Sequence, residues 1–223
     1  MERVRSSDPA EALLEAAAAV LDEEGRDAVT ARRLGREIGA SSMAVYTHFG
    51  SMEELLAAVW RRGFTELGRA LSQVTPTKDP VADWMVQGWH YRDFALRNRH
   101  LYRVMFSDGL VAFNRGSRAD QEVALATFQA LLELIERCEE LGRWSVDDVV
   151  LGGEVVWVTT HGHCELELTG YFEASGRDPR RLFERCTRTL ALGFGDDPEL
   201  VQRSLGAARR RTRPLRTGGS PTA

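Results

Sequence analysis

Apolar residues recur every three or four positions over most of the 223-residue chain, which predicts an all-α protein of about nine helices. Asp8 and Pro9 suit the N-cap and first position of the first helix, and Gly25 suits its end. A fourth helix starts at Ser51 and carries apolar residues along its whole length. Because the preceding residues are too few to cover it, we expect it to connect an N-terminal three-helix domain to a C-terminal helical bundle.

The stretch Thr30–Phe49, TARRLGREIGASSMAVYTHF, predicts two short helices separated by a tight turn. Thr30 is placed to cap the first helix, Gly39 to end it, and Ser41 to cap a second helix over residues 42–48. A turn this short is typical of a helix-turn-helix, whose second helix enters the major groove of DNA. The alternative is a packed helical corner without a DNA-binding role.

The second of these helices presents small, hydroxylated and aromatic side chains where a solvent-exposed helix would normally carry charged ones. Val45 and Phe49, four positions apart, are expected to face inward. Short side chains let a helix backbone approach base edges, and hydroxyl and imidazole groups can hydrogen-bond phosphate oxygens. This pattern favours DNA binding through the outward residues, which are Ser42, Met43, Ala44, Tyr46, Thr47 and His48.

The motifs around this helix pair lie in one register over about 50 residues: Val29-Thr30-Ala31, Leu34-Gly35-Arg36-Glu37-Ile38-Gly39, Val45-Tyr46-Thr47-His48-Phe49 and Glu53-Glu54-Leu55-Leu56. Together with the Ala/Leu-rich first helix, they make the chain resemble the DNA-binding domain of the TetR family of bacterial regulators. The resemblance implies phosphate contacts from Thr30, Tyr46 and His48, and base-edge contacts from Ser42, Met43, Ala44 and Thr47. Met52 departs from the lysine that the family commonly has there.

The charge distribution limits how strongly this region can attract DNA. The net formal charge is -4, and acids outnumber arginines among the first 50 residues. Most of these acids lie on or just after the first helix, whereas Arg32, Arg33 and Arg36 belong to the helix that would cross the DNA backbone. Charges farther apart than about 10 Å are screened at ordinary salt, so we expect modest non-specific affinity. The DNA-binding set comprises Thr30, Arg32, Arg33, Ser41, Ser42, Met43, Ala44, Tyr46, Thr47 and His48.

Composition excludes several other classes of protein. With 43% hydrophobic and 28% charged residues, the chain is expected to be globular. No apolar run approaches the roughly 18 residues of a membrane span, and the N-terminus lacks the apolar core of a signal peptide, so a cytoplasmic location is expected. Cys138, Cys164 and Cys186 are expected to be reduced thiols. Common catalytic motifs are absent, so we expect no enzyme activity, cofactor or metal.

The helix predicted from Ser145 to Gly170 has apolar residues on more than one side, which indicates burial against a partner. Paired with the final helix, which opens at Asp178, it could form a twofold four-helix interface with a second subunit. Such a dimer would place two helix-turn-helix motifs on successive major grooves of a palindrome, about 34 to 36 Å apart. The predicted interface residues are Val155, Val158, Leu182, Phe183, Cys186 and Leu190.

The second half of the chain also carries aromatic and thioether side chains of the kind that line pockets for small apolar or aromatic effectors. Trp157, His161 and Gly162 match the W-H-G signature of one subgroup of TetR sensor domains, and Leu101-Tyr102-Arg103-Val104-Met105-Phe106 fits the same subgroup. The resemblance implies an effector-binding domain. The predicted ligand-binding residues are Trp84, Met85, Trp89, Phe94, Met105, Phe106, Phe128, Trp157 and His161.

The pattern divides the chain into a flexible arm at 1–7, a helix-turn-helix domain at 8–50, a connecting helix at 51–74, an effector and dimerisation domain at 75–196, and an Arg-rich tail without regular structure at 197–223. The function predicted is a dimeric, ligand-responsive DNA-binding regulator that represses from a palindromic operator. Two alternatives stay open. One is an α-helical small-molecule-binding protein or enzyme with a vestigial helix-turn-helix, and the other is a nucleic-acid protein without sequence preference.

Overall fold

The structure is a computed structural model that describes residues 8–107 and 118–212. Helices are the only regular elements among these residues, apart from turns and bends, and this confirms the all-α prediction. A short 3-10 turn, Arg26–Ala28, follows the first helix. The eleven α-helices are α1 Pro9–Glu24, α2 Ala31–Ile38, α3 Met43–Phe49, α4 Met52–Leu71, α5 Pro80–Arg97, α6 Arg99–Ser107, α7 Arg118–Glu140, α8 Val149–Leu168, α9 Tyr171–Ala174, α10 Pro179–Gly193 and α11 Pro198–Arg211.

Two of these helices, α9 and α11, were not predicted. The expectation that residues 197–223 form a tail is wrong for residues 197–212. The carboxylate of Asp197 caps α11 by accepting hydrogen bonds from the backbone N–H groups of Glu199 and Leu200, both at 2.9 Å. Apolar and small residues recur at helical spacing and are buried within the chain, namely Val201, Ser204, Leu205 and Ala208. Several arginines lie between and just after these residues, and for that reason the helical spacing was not recognised in the sequence. The predicted arm at 1–7 lies outside the described residues, as do residues 108–117 and 213–223.

The start of α8 also differs from the prediction. Ser145 was expected to cap this helix, but its backbone N–H instead donates to the carbonyl of Phe194 at 2.9 Å. The cap is Asp148, whose carboxylate accepts from the N–H of Leu151 at 3.1 Å. Three candidates for a cap lie close together in this stretch, so spacing alone placed the start of the helix too early.

Contacts divide the described residues into two compact packing units. The first packing unit comprises residues 8–70, 94–107 and 118–128, and the second comprises residues 71–93 and 129–212. The division falls inside α5 and α7, so it does not coincide with the sequential boundaries predicted above. None of the helices in the described part of the chain is both long and apolar enough to cross a membrane.

In the first packing unit, α1 is the scaffold on which the neighbouring helices are held. Its apolar side packs inward through Leu13, Ala17 and Val20, which recur at helical spacing. On its polar side, Arg62 of α4 forms an ion pair with Glu11 at 2.5 Å. Its C-terminal end is tied to α6, because Nδ1 of His100 lies 2.6 Å from a carboxylate oxygen of Asp22.

The second packing unit is held together by buried ion pairs as well as by apolar contacts. Asp83 is fully buried, and its carboxylate accepts hydrogen bonds from Arg137 at 2.7 Å and from Arg211 at 2.5 Å. Burial alone would raise the pKa of Asp83, but hydrogen bonds from Thr77 and the two arginines hold it below its usual value. Because Arg211 belongs to α11, this helix is an integral part of the unit.

Candidate nucleic-acid interface

The turn between α2 and α3 is fixed by backbone hydrogen bonds and one left-handed glycine. The hydroxyl of Thr30 accepts from the N–H of Arg33 at 3.2 Å, which is the cap predicted from the sequence. Gly39 ends α2 with φ 72°, in the left-handed region where glycine has no steric penalty. The N–H of Ala40 then donates to the carbonyl of Gly35 at 2.8 Å. The chain therefore turns back over α2 immediately after the helix ends.

Gly35 is needed because this turn packs directly on it. A Cβ atom at this position would lie 2.9 Å from the carbonyl oxygen of Ala40 and 2.9 Å from the carbonyl group of Ser41. Both neighbours are backbone atoms that cannot rotate away, so any side chain here would push α3 away from α2. The spacing of apolar residues does not reveal this requirement, since it arises from a contact between two parts of the motif.

The helix α3 begins one residue later than predicted. Ser42, and not Ser41, occupies the cap position, and its side chain makes no capping hydrogen bond. The carbonyl of Ser41 accepts from the N–H of Ala44 at 3.1 Å and so belongs to the first turn. Val45 is fully buried and anchors the helix, and Phe49 is half-buried at its end. The inward side of α3 is therefore the predicted one.

The α3 outer face consists of the residues that point away from this anchor, and the structure exposes all of them except Ala44, which is half-buried. Met43 is 61% exposed and Tyr46 is 46% exposed, so both large side chains are accessible to a partner. The hydroxyl of Thr47 donates to the carbonyl of Met43 at 3.0 Å, one turn earlier in the helix. The face comprises Ser42, Met43, Ala44, Tyr46, Thr47 and His48.

The arginines of α2 divide into two groups. Arg32 and Arg36 are exposed, and neither has an ion pair with any residue that the structure describes. The guanidinium group of Arg33, in contrast, lies 2.7 Å from Glu24 and 2.9 Å from Glu37. Arg33 therefore neutralises acids of its own packing unit, and the expectation that it is available for phosphate does not agree with its position. The sequence could not show the pair with Glu24, which is nine residues away, whereas the four-residue spacing of Arg33 and Glu37 could have indicated the second pair.

The residue that departs from the family pattern, Met52, is the first residue of α4 and is half-buried. The hydroxyl of the preceding Ser51 accepts from the N–H of Glu54 at 3.0 Å, as predicted for a helix start. Acidic residues follow Met52 at once, so this end of α4 offers no positive side chain for a phosphate.

The nine predicted ligand-binding residues are divided between the two packing units. Phe94, Met105, Phe106 and Phe128 belong to the first unit, and Trp84, Met85, Trp89, Trp157 and His161 belong to the second. Several of them have a structural role within their own unit. In the first, Met105 is buried against Gly63, and its carbonyl accepts from the indole N–H of Trp60 at 3.3 Å.

In the second packing unit, Trp84 stacks edge-on against Trp144 with ring centroids 5.0 Å apart, and this pair belongs to the core. Trp89 packs on Phe183 at 4.8 Å, and the guanidinium carbon of Arg180 lies 4.7 Å from the centre of the Trp89 ring. His161 lies nearer the surface, where its ring is 5.6 Å from that of the exposed Trp157.

The predicted dimer residues are exposed or half-buried in the single chain, with one exception. Phe183 is only 1% exposed and packs inside the second packing unit, against Trp89 and His163. Its assignment to a dimer interface is therefore wrong, because its helical face is the one that α10 turns inward. Val155, Val158 and Leu182 are exposed, and Cys186 and Leu190 are half-buried.

The structure adds residues to this surface that the sequence pattern did not single out. Along α8 a row of exposed apolar residues with one glycine recurs every three or four positions, so that it follows one side of the helix. A Cβ atom added at Gly162 would have no neighbouring atom within 4 Å, so this glycine leaves open space in the middle of the row. We define the α8 stripe as Leu151, Val155, Val158, Gly162 and Leu166.

Comparisons with known proteins identify the family. Residues 13–59 match the model for bacterial regulatory proteins of the tetR family, and residues 84–190 match the model for the tetracyclin repressor-like C-terminal domain. The chain belongs to the TetR family of transcriptional regulators. The finer assignment to the W-H-G subgroup is not confirmed by these matches.

Individual relatives agree with this assignment. Over 186 residues the chain is 26% identical to Rv0681, an uncharacterized HTH-type transcriptional regulator of Mycobacterium tuberculosis, covering 82% of this chain and 80% of that one. The TetR family regulator PfmR of Thermus thermophilus has a TM-score of 0.60 at 23% identity, covering 69% of this chain and 84% of that one. RolR in complex with resorcinol has a TM-score of 0.56 at 18% identity, covering 91% and 93% of the two chains. These two structural likenesses concern the fold alone.

Proposed function

We propose that this regulator binds a palindromic DNA operator as a homodimer, represses transcription from it, and leaves it when a small apolar or aromatic effector binds. The observation that carries the proposal is the α3 outer face. Its exposed side chains are hydroxyl, aromatic, imidazole and thioether groups, held on a helix whose inward side carries the buried Val45 and the half-buried Phe49. This is the surface expected of a helix that enters a major groove.

Phosphate contacts are assigned to side chains at the margins of this face. Tyr46 and His48 are exposed on α3 and carry groups that can donate to phosphate oxygens. Arg32 and Arg36 are exposed on α2, the helix that crosses the DNA backbone in this kind of motif. With Arg33 held by Glu24 and Glu37, the positive charge available to each subunit is small, so the affinity for unrelated DNA should be modest.

The proposed dimer uses the α8 stripe together with the outward side of α10. Exposed aliphatic residues on both helices would otherwise face water, and Gly162 would let a second helix approach closely. Charge also favours a second copy of this chain. An acid, Glu154, is exposed beside the stripe on α8, whereas the exposed residues along α10 include Arg181 and Arg185. A twofold arrangement that places α8 against α10 of the other subunit would bring these opposite charges together.

The proposed effector is small and apolar or aromatic, since both packing units contain many aromatic and thioether side chains. The structure of RolR with its ligand resorcinol provides an example of an effector-sized aromatic compound bound to a protein of this fold. Binding would select a state in which α4 is displaced and the two α3 helices lose their groove spacing. An effector can shift this equilibrium only by its difference in affinity between free and operator-bound protein.

The test is an electrophoretic mobility shift with duplex DNA taken from the region flanking the gene of this protein. We expect retention of one fragment at concentrations that leave an unrelated duplex of equal length free. Tyr46→Ala should weaken binding to that fragment at least about tenfold, if Tyr46 makes a phosphate contact of ordinary strength. Unchanged affinity in the variant would show that α3 does not lie in the groove. Equal retention of both duplexes would favour a nucleic-acid protein without sequence preference.

A further inference from the structure

The helix that is proposed to read the operator lacks the side chains most often used to read purines. From Ser41 to Gly50 the sequence contains no Arg, Lys, Asn or Gln. Arginine and lysine recognise guanine through its N7 and O6 atoms, and asparagine and glutamine recognise adenine through N6 and N7. The three long basic side chains nearby, Arg32, Arg33 and Arg36, belong to α2. The outer face of α3 must therefore obtain sequence information in another way.

Thr47 carries an apolar methyl group that α3 can present to a base edge in place of a hydrogen-bond donor. Its hydroxyl donates to the carbonyl oxygen of Met43 at 3.0 Å, so its proton is already used inside the helix. The hydroxyl is consequently not available as a donor to the acceptor atoms of guanine. The γ-methyl group of Thr47 remains, on a residue that is exposed on the outer face.

Met43 and Ala44 extend this apolar character along the first turn of α3. The thioether side chain of Met43 is 61% exposed, and Ala44 presents a methyl group and no polar atom. In the N-terminal part of a recognition helix these are the positions that approach base edges. In the major groove, the apolar group on a base edge is the C5-methyl of thymine.

We propose that this regulator identifies its half-sites chiefly through thymine methyl groups, which are read by Met43, Ala44 and Thr47. The inference rests on the proposed function, since it requires α3 to enter the major groove. It defines the chemical class of the operator: half-sites in which thymines, on either strand, occupy the positions facing Met43, Ala44 and Thr47. Guanine contributes less, because α3 carries no arginine or lysine that could make a bidentate contact with its N7 and O6 atoms.

The test begins with selection of binding sequences from a random duplex library by the full-length protein. The selected duplex is then synthesised with deoxyuridine in place of individual thymines, which removes one methyl group at a time. Burying a methyl-sized group contributes about 0.8 kcal/mol, so each critical replacement should weaken binding about fourfold, and the symmetric pair about 16-fold. Replacement of half-site guanines by 7-deazaguanine should change affinity less than about twofold, because no bidentate contact is lost.

The outcomes separate this inference from the proposed function. If no sequence is enriched, both fail together. If a sequence is enriched, two results would overturn thymine readout and leave the proposed regulatory function intact. One is that its deoxyuridine forms bind as tightly as the original, and the other is that 7-deazaguanine weakens its binding more than the loss of methyl groups does.

A second measurement tests the contact itself. Thr47→Ser removes only the γ-methyl group and keeps the hydroxyl that bonds to Met43. We expect this variant to bind the thymine duplex about fourfold more weakly than the wild type and to bind the matching deoxyuridine duplex equally well. Thr212→Ser is the control, since the hydroxyl of Thr212 makes the same kind of bond, to the carbonyl of Ala208 at 2.9 Å, in the second packing unit. If Thr47→Ser lost the same affinity for the thymine duplex and the deoxyuridine duplex, contact between the Thr47 methyl group and a thymine methyl group would be contradicted.

Discussion

The α3 outer face and the α8 stripe are both exposed surfaces with apolar atoms, yet they differ in chemistry. On α3 the apolar atoms belong to Met43, to the half-buried Ala44 and to side chains that also carry a hydroxyl or imidazole group. On α8 they belong to aliphatic residues, with Leu151 57% exposed and Val158 62% exposed, and a glycine lies among them. Hydroxyl groups suit a partner rich in phosphate and base edges, and aliphatic rows suit another helix. Exposure alone identifies a surface, and its chemistry identifies the kind of partner.

The largest expected effect follows from placing a charge on the α8 stripe. Val158→Glu would bring two carboxylates into the apolar centre of the proposed twofold contact, at a cost of about 3 kcal/mol or more, which is at least about a hundredfold in the dissociation constant. Sedimentation at micromolar concentration should then show monomer, and operator binding should be lost with it. Leu125→Glu is the control, because Leu125 is equally apolar and 54% exposed but lies on α7. A dimer that survives Val158→Glu would place the interface elsewhere.

The converse change disturbs α3 and leaves the α8 stripe intact. Gly35→Ala places a Cβ atom 2.9 Å from the backbone of Ala40 and Ser41, so the turn must open, at a cost of about 1 to 3 kcal/mol. We expect operator binding to weaken strongly while sedimentation still shows a dimer. The matched variant is Gly206→Ala, where a Cβ atom would meet only the end of Arg210 at 3.6 Å, and which should be neutral or slightly stabilising. Undiminished binding by Gly35→Ala would mean that the turn tolerates movement.

A smaller effect separates the two kinds of arginine on α2. Arg32→Ala should remove one phosphate contact per subunit, and the slope of log affinity against log salt should become shallower by about 1.8 per dimer. Arg33→Ala should leave that slope unchanged, because its guanidinium group is paired with Glu24 and Glu37. The measurement is a salt titration of operator binding for the two variants in parallel. Equal changes in slope would show that Arg33 exchanges its internal partners for phosphate.

The smallest effect concerns the buried side of α8, opposite the stripe. Burial lowers the pKa of His163, with Arg92 acting in the same direction and Glu167 opposing it. Since the folded pKa lies below the unfolded value of about 6.5, the unfolded chain binds more protons as the pH falls, and the folded state loses stability below about pH 6.5. Denaturant titrations between about pH 7.5 and 5.5 should show this loss, reduced in His163→Gln. If stability falls equally with pH in the wild type and in His163→Gln, His163 is not a cause of the loss.

Local patterns in the sequence were sufficient for the helices that are set by their own residues. Asp8, Thr30 and Asp178 cap α1, α2 and α10 as predicted, because a cap depends on residues two or three positions away. Val45 was placed inside for the same reason, since helical spacing distinguishes the two sides of a short helix.

Two of the remaining features depend on residues that are distant in the sequence, and a third depends on the turn between α2 and α3. Phe183 was predicted to be an interface residue because the apolar residues of α10 do not by themselves show which of them face the core. Its packing on Trp89 places it in the core. Arg33 looked available for DNA because its acid partner Glu24 belongs to another helix. The need for glycine at position 35 likewise arises from the returning turn. None of these three contacts can be recognised from the spacing of apolar residues along the chain.

The docking of α11 has a practical consequence for anyone who shortens or tags this protein. A chain cut after Gly195 would lose Arg211, which is a partner of the fully buried Asp83. It would also lose Arg209, whose guanidinium group pairs with Glu184 of α10 at 2.5 Å. An acid left in the interior with fewer partners is costly, so such a deletion should lower expression and solubility even though it removes no residue from the DNA-binding motif. Affinity tags and fluorescent reporters are better joined after Thr212, where the described helix has ended.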